Sequence, residues 1–364
     1  MIKALSGLIA GLALLFVALA AAGVWRGHTP VPFWDMWDGY IGFYERLKDG
    51  EAGLWFAQHN EHRIFLSRLL FFVDLEWFGG RGAFLLAVNL AFALLSAGLF
   101  RAFIRDEVGT QAGPAGAALA FVCLALSFSW TQQENLSWAF QSQFFLGQSL
   151  ALLAFLLLHR ATRASREEKP STGLFALACA SGALAACALG NGVLALPLMA
   201  AQAIMMKARG RRIAILVLLA ALVLFAYFHD YRSPAGHGTF LNSLFHEPLA
   251  VVAYALVYLG SPFINAFESL GKAPAAALSL LLIAGSALFF WRELARPLAS
   301  TSRVALLGFI AYVGATALAT AGGRLAFGLD QAASSRYATP ALMAWLSFLV
   351  LAASAVAPRH RARP

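Results

Sequence analysis

Asp35 and Asp38 stand three residues apart in Pro32-Phe33-Trp34-Asp35-Met36-Trp37-Asp38-Gly39-Tyr40, directly after the first long apolar run. On a helix the two carboxylates share one face, one turn apart. Like charges that close repel unless a proton or a cation sits between them. The pair therefore suits general base chemistry or cation binding. Trp and Tyr rings prefer the membrane–water boundary, so the same stretch also reads as an anchor loop whose acids face water.

Further along, Gln58-His59-Asn60-Glu61-His62-Arg63 sets two histidines, a carboxylate, an amide and a guanidinium side by side. His59, Glu61, His62 and Arg63 suit phosphate, metal or other substrate binding, and polar residues at a helix start also serve as caps. Asp35, Asp38, His59 and His62 together would hold a divalent cation such as zinc or manganese, although no HExxH-type spacing accompanies them. No other cofactor is implied. Arg324 and Arg336 flank a glycine-containing loop late in the chain. A planar guanidinium grips phosphate bidentately. The alternatives are pairing with Asp330 or snorkelling to headgroups. Glu134 would pair with either arginine or line a sugar pocket. Trp130, Trp138, Gln141, Gln143 and, after Arg336, Tyr337 offer the amides, rings and hydroxyl that sugars bind. They fit an interfacial helix equally well.

These residues need elements to position them, and composition says which. Of 364 residues, 60% are hydrophobic and 12% charged, with a mean hydropathy of +0.70. Soluble domains hold roughly 25% charged residues, and apolar runs near twenty residues recur here, so the chain is an all-α, polytopic membrane bundle. The net charge of +9 does not imply nucleic acid, because the basic residues cluster in short loops between apolar runs. Cys123, Cys179 and Cys187 fall inside apolar segments and form no CxxC pattern. The apolar run from Leu5 to Val24 exceeds a signal-peptide core and reads as a retained first helix.

Ten spans are expected, at about 5–24, 82–100, 114–130, 144–158, 173–189, 192–206, 213–228, 274–291, 304–322 and 340–357. The basic loops, together with Lys3 and the tail 358–364 carrying Arg359 to Arg363, should be cytoplasmic. Residues 25–81, the first extracytoplasmic loop, then lie outside with 131–143, 229–273 and 323–339. The third of these brings His229, Asp230, Tyr231, Arg232, His237 and His246 to the same side. Two stretches raise the count to twelve if they cross. One is 62–78, whose Arg63, Arg68, Asp74 and Glu76 suit an amphipathic surface helix. The other is 249–267, broken by Gly260-Ser261-Pro262 and read as re-entrant or as surface helices. The whole chain, 1–364, forms one transmembrane domain.

A first span leading into a long outer loop with an early acidic motif, Trp34-Asp35-Met36-Trp37-Asp38, resembles the GT-C superfamily of membrane glycosyltransferases. The resemblance covers the architecture of most of the chain; its one short motif is the acidic pair. His59-Asn60-Glu61-His62-Arg63 and Ser335-Arg336-Tyr337 resemble stretches of bacterial members. The chain has no soluble C-terminal domain and no WWD-type motif, which points to a single-sugar enzyme rather than an oligosaccharyltransferase.

The resemblance implies a polyprenyl-phosphate-linked sugar as donor and an extracytoplasmic glycan, glycolipid, wall polymer or protein as acceptor. It implies Asp35 as base with Asp38 beside it, donor phosphate at Arg324 and Arg336, and a site facing outward from the bacterial inner membrane. Other classes stay open. A transporter or flippase would need ionisable residues within its spans, which are nearly free of charge here. A membrane acyltransferase would use His59 or His62.

Overall fold

The computed structural model describes residues 2–109, 113–234, 238 and 240–356; the tail 358–364 and His237 lie outside the described residues. The chain is all-α. Among the described residues the one strand-like feature is a single bridge between His59 and His62. The helices in chain order are α1 (Ile2–Gly27), α2 (Phe43–Lys48), α3 (Phe65–Trp77), α4 (Ala83–Val108), α5 (Gly113–Ser127), α6 (Gln133–Ser137), α7 (Ser142–Arg166) and α8 (Thr172–Ala186). There follow α9 (Ala195–Met205), α10 (Gly210–Phe228), α11 (Phe240–His246), α12 (Pro248–Ala266), α13 (Lys272–Leu294), α14 (Thr301–Arg324), α15 (Leu329–Ala332) and α16 (Ala338–Val356). Among the described residues nine helical segments are long and apolar enough to cross a membrane: α1, α4, α5 continued through α6 to Ser137, α7, α10, α12, α13, α14 and α16. The protein is a polytopic helical membrane protein.

Cross-links between helices define two ends of the bundle. At the basic end Asp106 of α4 accepts from Arg160 at 2.6 Å and pairs with His159 of α7 at 3.0 Å. Glu107 pairs with Arg303 of α14 there, and Lys207 donates to the carbonyl of Pro297 at 3.0 Å. At the opposite, cavity end Arg324 closes α14, and Lys272 at the start of α13 pairs with Asp330 of α15. The main core joins α4, α7, α8, α9, α12, α14 and α16 around Phe100, Phe155, Phe309 and Tyr312. A second core lies under the segment 28–81 and joins Tyr40, Phe71, Leu86 and Phe140.

Three segments depart from simple crossings. The stretches expected as spans at 173–189 and 192–206 form α8 and α9, of 15 and 11 residues, which fall short of the length of the nine spans. Arg212 bonds Ser171 near the start of α8, and Arg166 bonds the carbonyl of Met206 just after α9, so both outer ends sit at the basic end. The turn between them, Gly190 to Leu194, rises to the floor of the cavity described below.

The second segment is α12, a nineteen-residue apolar helix with Pro262 in its interior. Ser243, just before it, bonds the carbonyl of Gly322, and Asn265 near its end bonds the carbonyl of Ala333. Both partners lie at the cavity end, so the α11–α12 segment enters and leaves there. Third, α3 leaves Glu76 exposed but turns its other two charges inward. Arg68 and Asp74 are buried, while Trp77 and Phe78 are exposed. Loop carbonyls explain the inversion: the Arg68 guanidinium donates to Leu54 and Ala57, and Asp74 accepts from Tyr40 and from the backbone of Gly82. These bonds offset the cost of burial in part, with Arg68 Nε and Asp74 Oδ1 left without a partner.

Candidate functional site

The backbone around Asp35 is tightly wound. Trp34 adopts a left-handed conformation, φ 47°, which costs a non-glycine residue about 1–3 kcal/mol and is commonly kept at functional sites. A π-helical turn, Trp37–Gly42, follows, a geometry also frequent at such sites. The Tyr40 hydroxyl fixes it from beneath by donating to Asp74 at 2.5 Å. Burial, followed by the Asp74 carboxylate, pushes the Tyr40 phenol far up, so it remains a donor. Gly39 is required by contact: a Cβ there would sit 2.8 Å from the rings of both His59 and Phe140. The turn thus presses onto His59, and Asp35 lies 4.0 Å from His59 Nε2.

His59 and His62 close a two-residue turn through reciprocal backbone hydrogen bonds of 2.7 and 2.9 Å. The turn displays Asn60, itself left-handed at φ 48°, and Glu61. Gln58 clamps it to the segment after α10 by bonding the backbone of Arg232 in both directions. Burial lowers the His59 imidazole against the opposing pull of Asp35, keeping it neutral at neutral pH. For Glu61, burial works to raise its carboxyl, but the His62 and Arg324 charges outweigh burial and hold it below the usual range. From the opposite side the tip of the α8–α9 hairpin arrives, with the Gly190 amide donating to His62 Nδ1 at 3.3 Å.

These elements enclose a cavity of about 410 Å³. Residues singled out by sequence that line it include Asp35, His59, Glu61, His62, Gln141, Gln143, Tyr231, Arg324, Arg336 and Tyr337. Segments separated by up to 302 positions in sequence, from Asp35 to Tyr337, meet in one place. Arg324 is engaged bidentately by Glu61, at 2.9 and 2.8 Å, and not by Asp330, whose partner is Lys272. Arg336 pairs with Glu134 at 2.6 Å and lies over the Trp138 ring at 5.9 Å. Glu134 stands behind Arg336 rather than on the cavity wall.

Three expectations meet a different geometry. Each of the three Arg63 guanidinium nitrogens donates to a backbone carbonyl, of Tyr227, Phe56 and His229, which makes it a loop clamp. Asp38 is exposed and lies outside the cavity wall. His59 and His62 face different partners, Asp35 and the Glu61–Gly190 side, so the four-residue cation set is not assembled. Among the described residues no group of three or more His, Cys, Asp and Glu stands at metal-binding distance.

Sequence reading passed over Gln148, Thr316 and Tyr258, which also line the cavity. Gln148 has a signal in the sequence: an amide within an otherwise apolar span, where polar groups mark function. No family model, no curated protein and no solved structure matches this chain.

Proposed function

We propose that the protein is an inverting glycosyltransferase of the GT-C type, moving one sugar from a polyprenyl-phosphate donor to an acceptor hydroxyl. The observation that carries this reading is a single cavity holding Asp35 and two arginines, Arg324 and Arg336, among buried amides in a membrane bundle. The cavity end faces outward from a bacterial inner membrane, with the basic end and both termini cytoplasmic, in keeping with the bias of Lys and Arg towards inner loops. The acceptor is then an extracytoplasmic glycan, lipid or protein.

In this reading the donor enters from the bilayer and its phosphate takes Arg324 and Arg336 as counter-charges. The acceptor oxygen attacks the anomeric carbon, and the bond from that carbon to the phosphate oxygen breaks. The electron pair leaves with the phosphate, where guanidinium groups stabilise it. Asp35 accepts the hydroxyl proton, and the neutral, buried His59 ring packs beside it with Nε2 4.0 Å from the carboxylate. Because Glu61 and Glu134 already neutralise the two arginines, donor binding exchanges one anion for another. Arg63 and Asp38 take no direct part.

The test is product formation by purified protein in lipid, supplied with radiolabelled polyprenyl-phosphate sugars and an envelope-lipid extract. Transfer by the wild type, with Asp35→Asn binding donor but not transferring it, sustains the proposal. Failure to bind any polyprenyl phosphate, with Asp35→Asn behaving as wild type, removes it in favour of a transporter or flippase.

A further inference from the structure

The deep part of the cavity differs from its rim. The rim carries Asp35, Glu61, Arg324 and Arg336, whereas the floor is uncharged: Gln143 and Gln148 from α7, Asn191 from the α8–α9 tip, and Thr316 from α14. Thr316 lies two turns below Arg324, about 12 Å along the helix. Gln148 is 0% exposed, yet neither its Oε1 nor its Nε2 has a partner. Gln143 Oε1 and Asn191 Oδ1 are likewise buried and unpartnered, although Asn191 Nδ2 donates to Thr316.

Buried polar atoms are nearly always hydrogen-bonded, and each one left unmet is costly. Here several unmet donors and acceptors line the same space, at membrane depth, where surrounding lipid offers no substitute. An empty apolar cavity would need none of them. The group that meets them has to carry several hydroxyls, each able to donate and accept. It also has to be uncharged, because the four floor side chains carry no charge, the bordering His62 and Glu61 are engaged by Gly190 and Arg324, and desolvating an unpaired charge is prohibitive.

We infer that the cavity floor is a subsite for a neutral, polyhydroxylated sugar ring, selecting it over uronic acids and amino sugars. Its link to a phosphate at the rim rests on the glycosyl-transfer reading; its selectivity for neutral rings does not. Donor and acceptor sugars share this chemistry, and the test separates them.

The protein in lipid nanodiscs would be titrated with short-chain isoprenyl phosphate, isoprenyl-phosphate glucose, isoprenyl-phosphate galacturonate and an isoprenyl-phosphate aminopentose. The glucose compound should bind at least tenfold more tightly than the bare phosphate, and the two charged sugars no more tightly than it. Gln148→Leu should erase the tenfold gain while leaving bare isoprenyl phosphate unchanged, which doubles as a check of folding. Gln148→Glu should shift preference towards the aminopentose. Equal binding of charged and neutral sugars, or an unchanged gain in Gln148→Leu, overturns the inference and leaves the floor to water. If isoprenyl phosphate itself does not bind, the glycosyl-transfer reading falls, and alkyl glucosides against alkyl glucuronides decide the subsite. A glucoside preference lost in Gln148→Leu then marks an acceptor or other sugar site, and equal binding rejects it.

Discussion

Arg324 lays two edges of its guanidinium on the carboxylate of Glu61, a residue 263 positions earlier in the chain. The contact joins the end of α14 to the turn between His59 and His62, and it forms part of the cavity wall. In the proposed glycosyl transfer, a donor phosphate would displace the two Glu61 carboxylate oxygens from Arg324.

The first prediction separates the two roles of that pair. Glu61→Gln should raise affinity for isoprenyl phosphate severalfold, because Arg324 loses its resident anion. Arg324→Ala should weaken the same binding and lower stability by about 1–3 kcal/mol, between the values for exposed and fully buried pairs. Titration and thermal unfolding in nanodiscs read both. Equal loss of binding in the two variants would mean that the pair is purely structural.

Asp35→Asn keeps the shape of a partly exposed side chain, so folding should be unaffected. Turnover should fall by about 10²- to 10⁴-fold, the usual contribution of a general base, with donor affinity within about threefold of wild type. Asp38→Asn should retain most activity, since Asp38 lies off the wall. Single-turnover assays on both variants distinguish base from bystander.

A pH scan tests His59. Its imidazole is depressed below the ordinary value of 6.5 by burial. The unfolded chain therefore binds a proton more readily than the folded one. Stability from this group is fully present above pH 6.5 and is lost as pH falls below it towards the depressed folded value. Glu61, also held below its ordinary range, contributes above the carboxylate range and loses that contribution in more acidic solution. Unfolding temperature should drop between pH 7 and 5.5 in wild type, and His59→Gln should flatten that interval while leaving the more acidic loss.

Arg63 offers a contrast with Arg336. Because all three guanidinium nitrogens donate to backbone carbonyls, Arg63→Lys should lose the fork geometry and lower the unfolding temperature. The folded fraction should bind isoprenyl phosphate as wild type does. Arg336→Lys should weaken phosphate binding instead. A loss of phosphate binding in Arg63→Lys at unchanged stability would reverse this assignment.

How much of this was legible can be judged residue by residue. The helical bundle followed from apolar run length alone, and the gathering of Asp35, His59, Glu61, Arg324 and Arg336 followed from assigning their loops to one side. Arg63 and Arg324 are indistinguishable in sequence, each an arginine in a polar loop. What separates them is whether a carboxylate or a set of carbonyls reaches the guanidinium first, which only the packed structure decides. Asp74 and Arg68 looked like solvent-facing charges because their partners are backbone groups, which leave no mark in composition. Gln148 did leave a mark, an amide inside a span, and lies one turn beyond Phe144 on the same helix face.

The α11–α12 segment has a consequence for biogenesis. Counting apolar stretches makes α12 one more crossing, yet both its flanks are tied to the cavity end through Ser243 and Asn265. A translocon reading hydrophobicity alone would thread it through and leave everything downstream inverted. In the proposed topology the loop with Arg292, Arg296 and Arg303 stays inside, so these arginines, far from the cavity, would set during synthesis which side of the membrane Arg324 and Arg336 face.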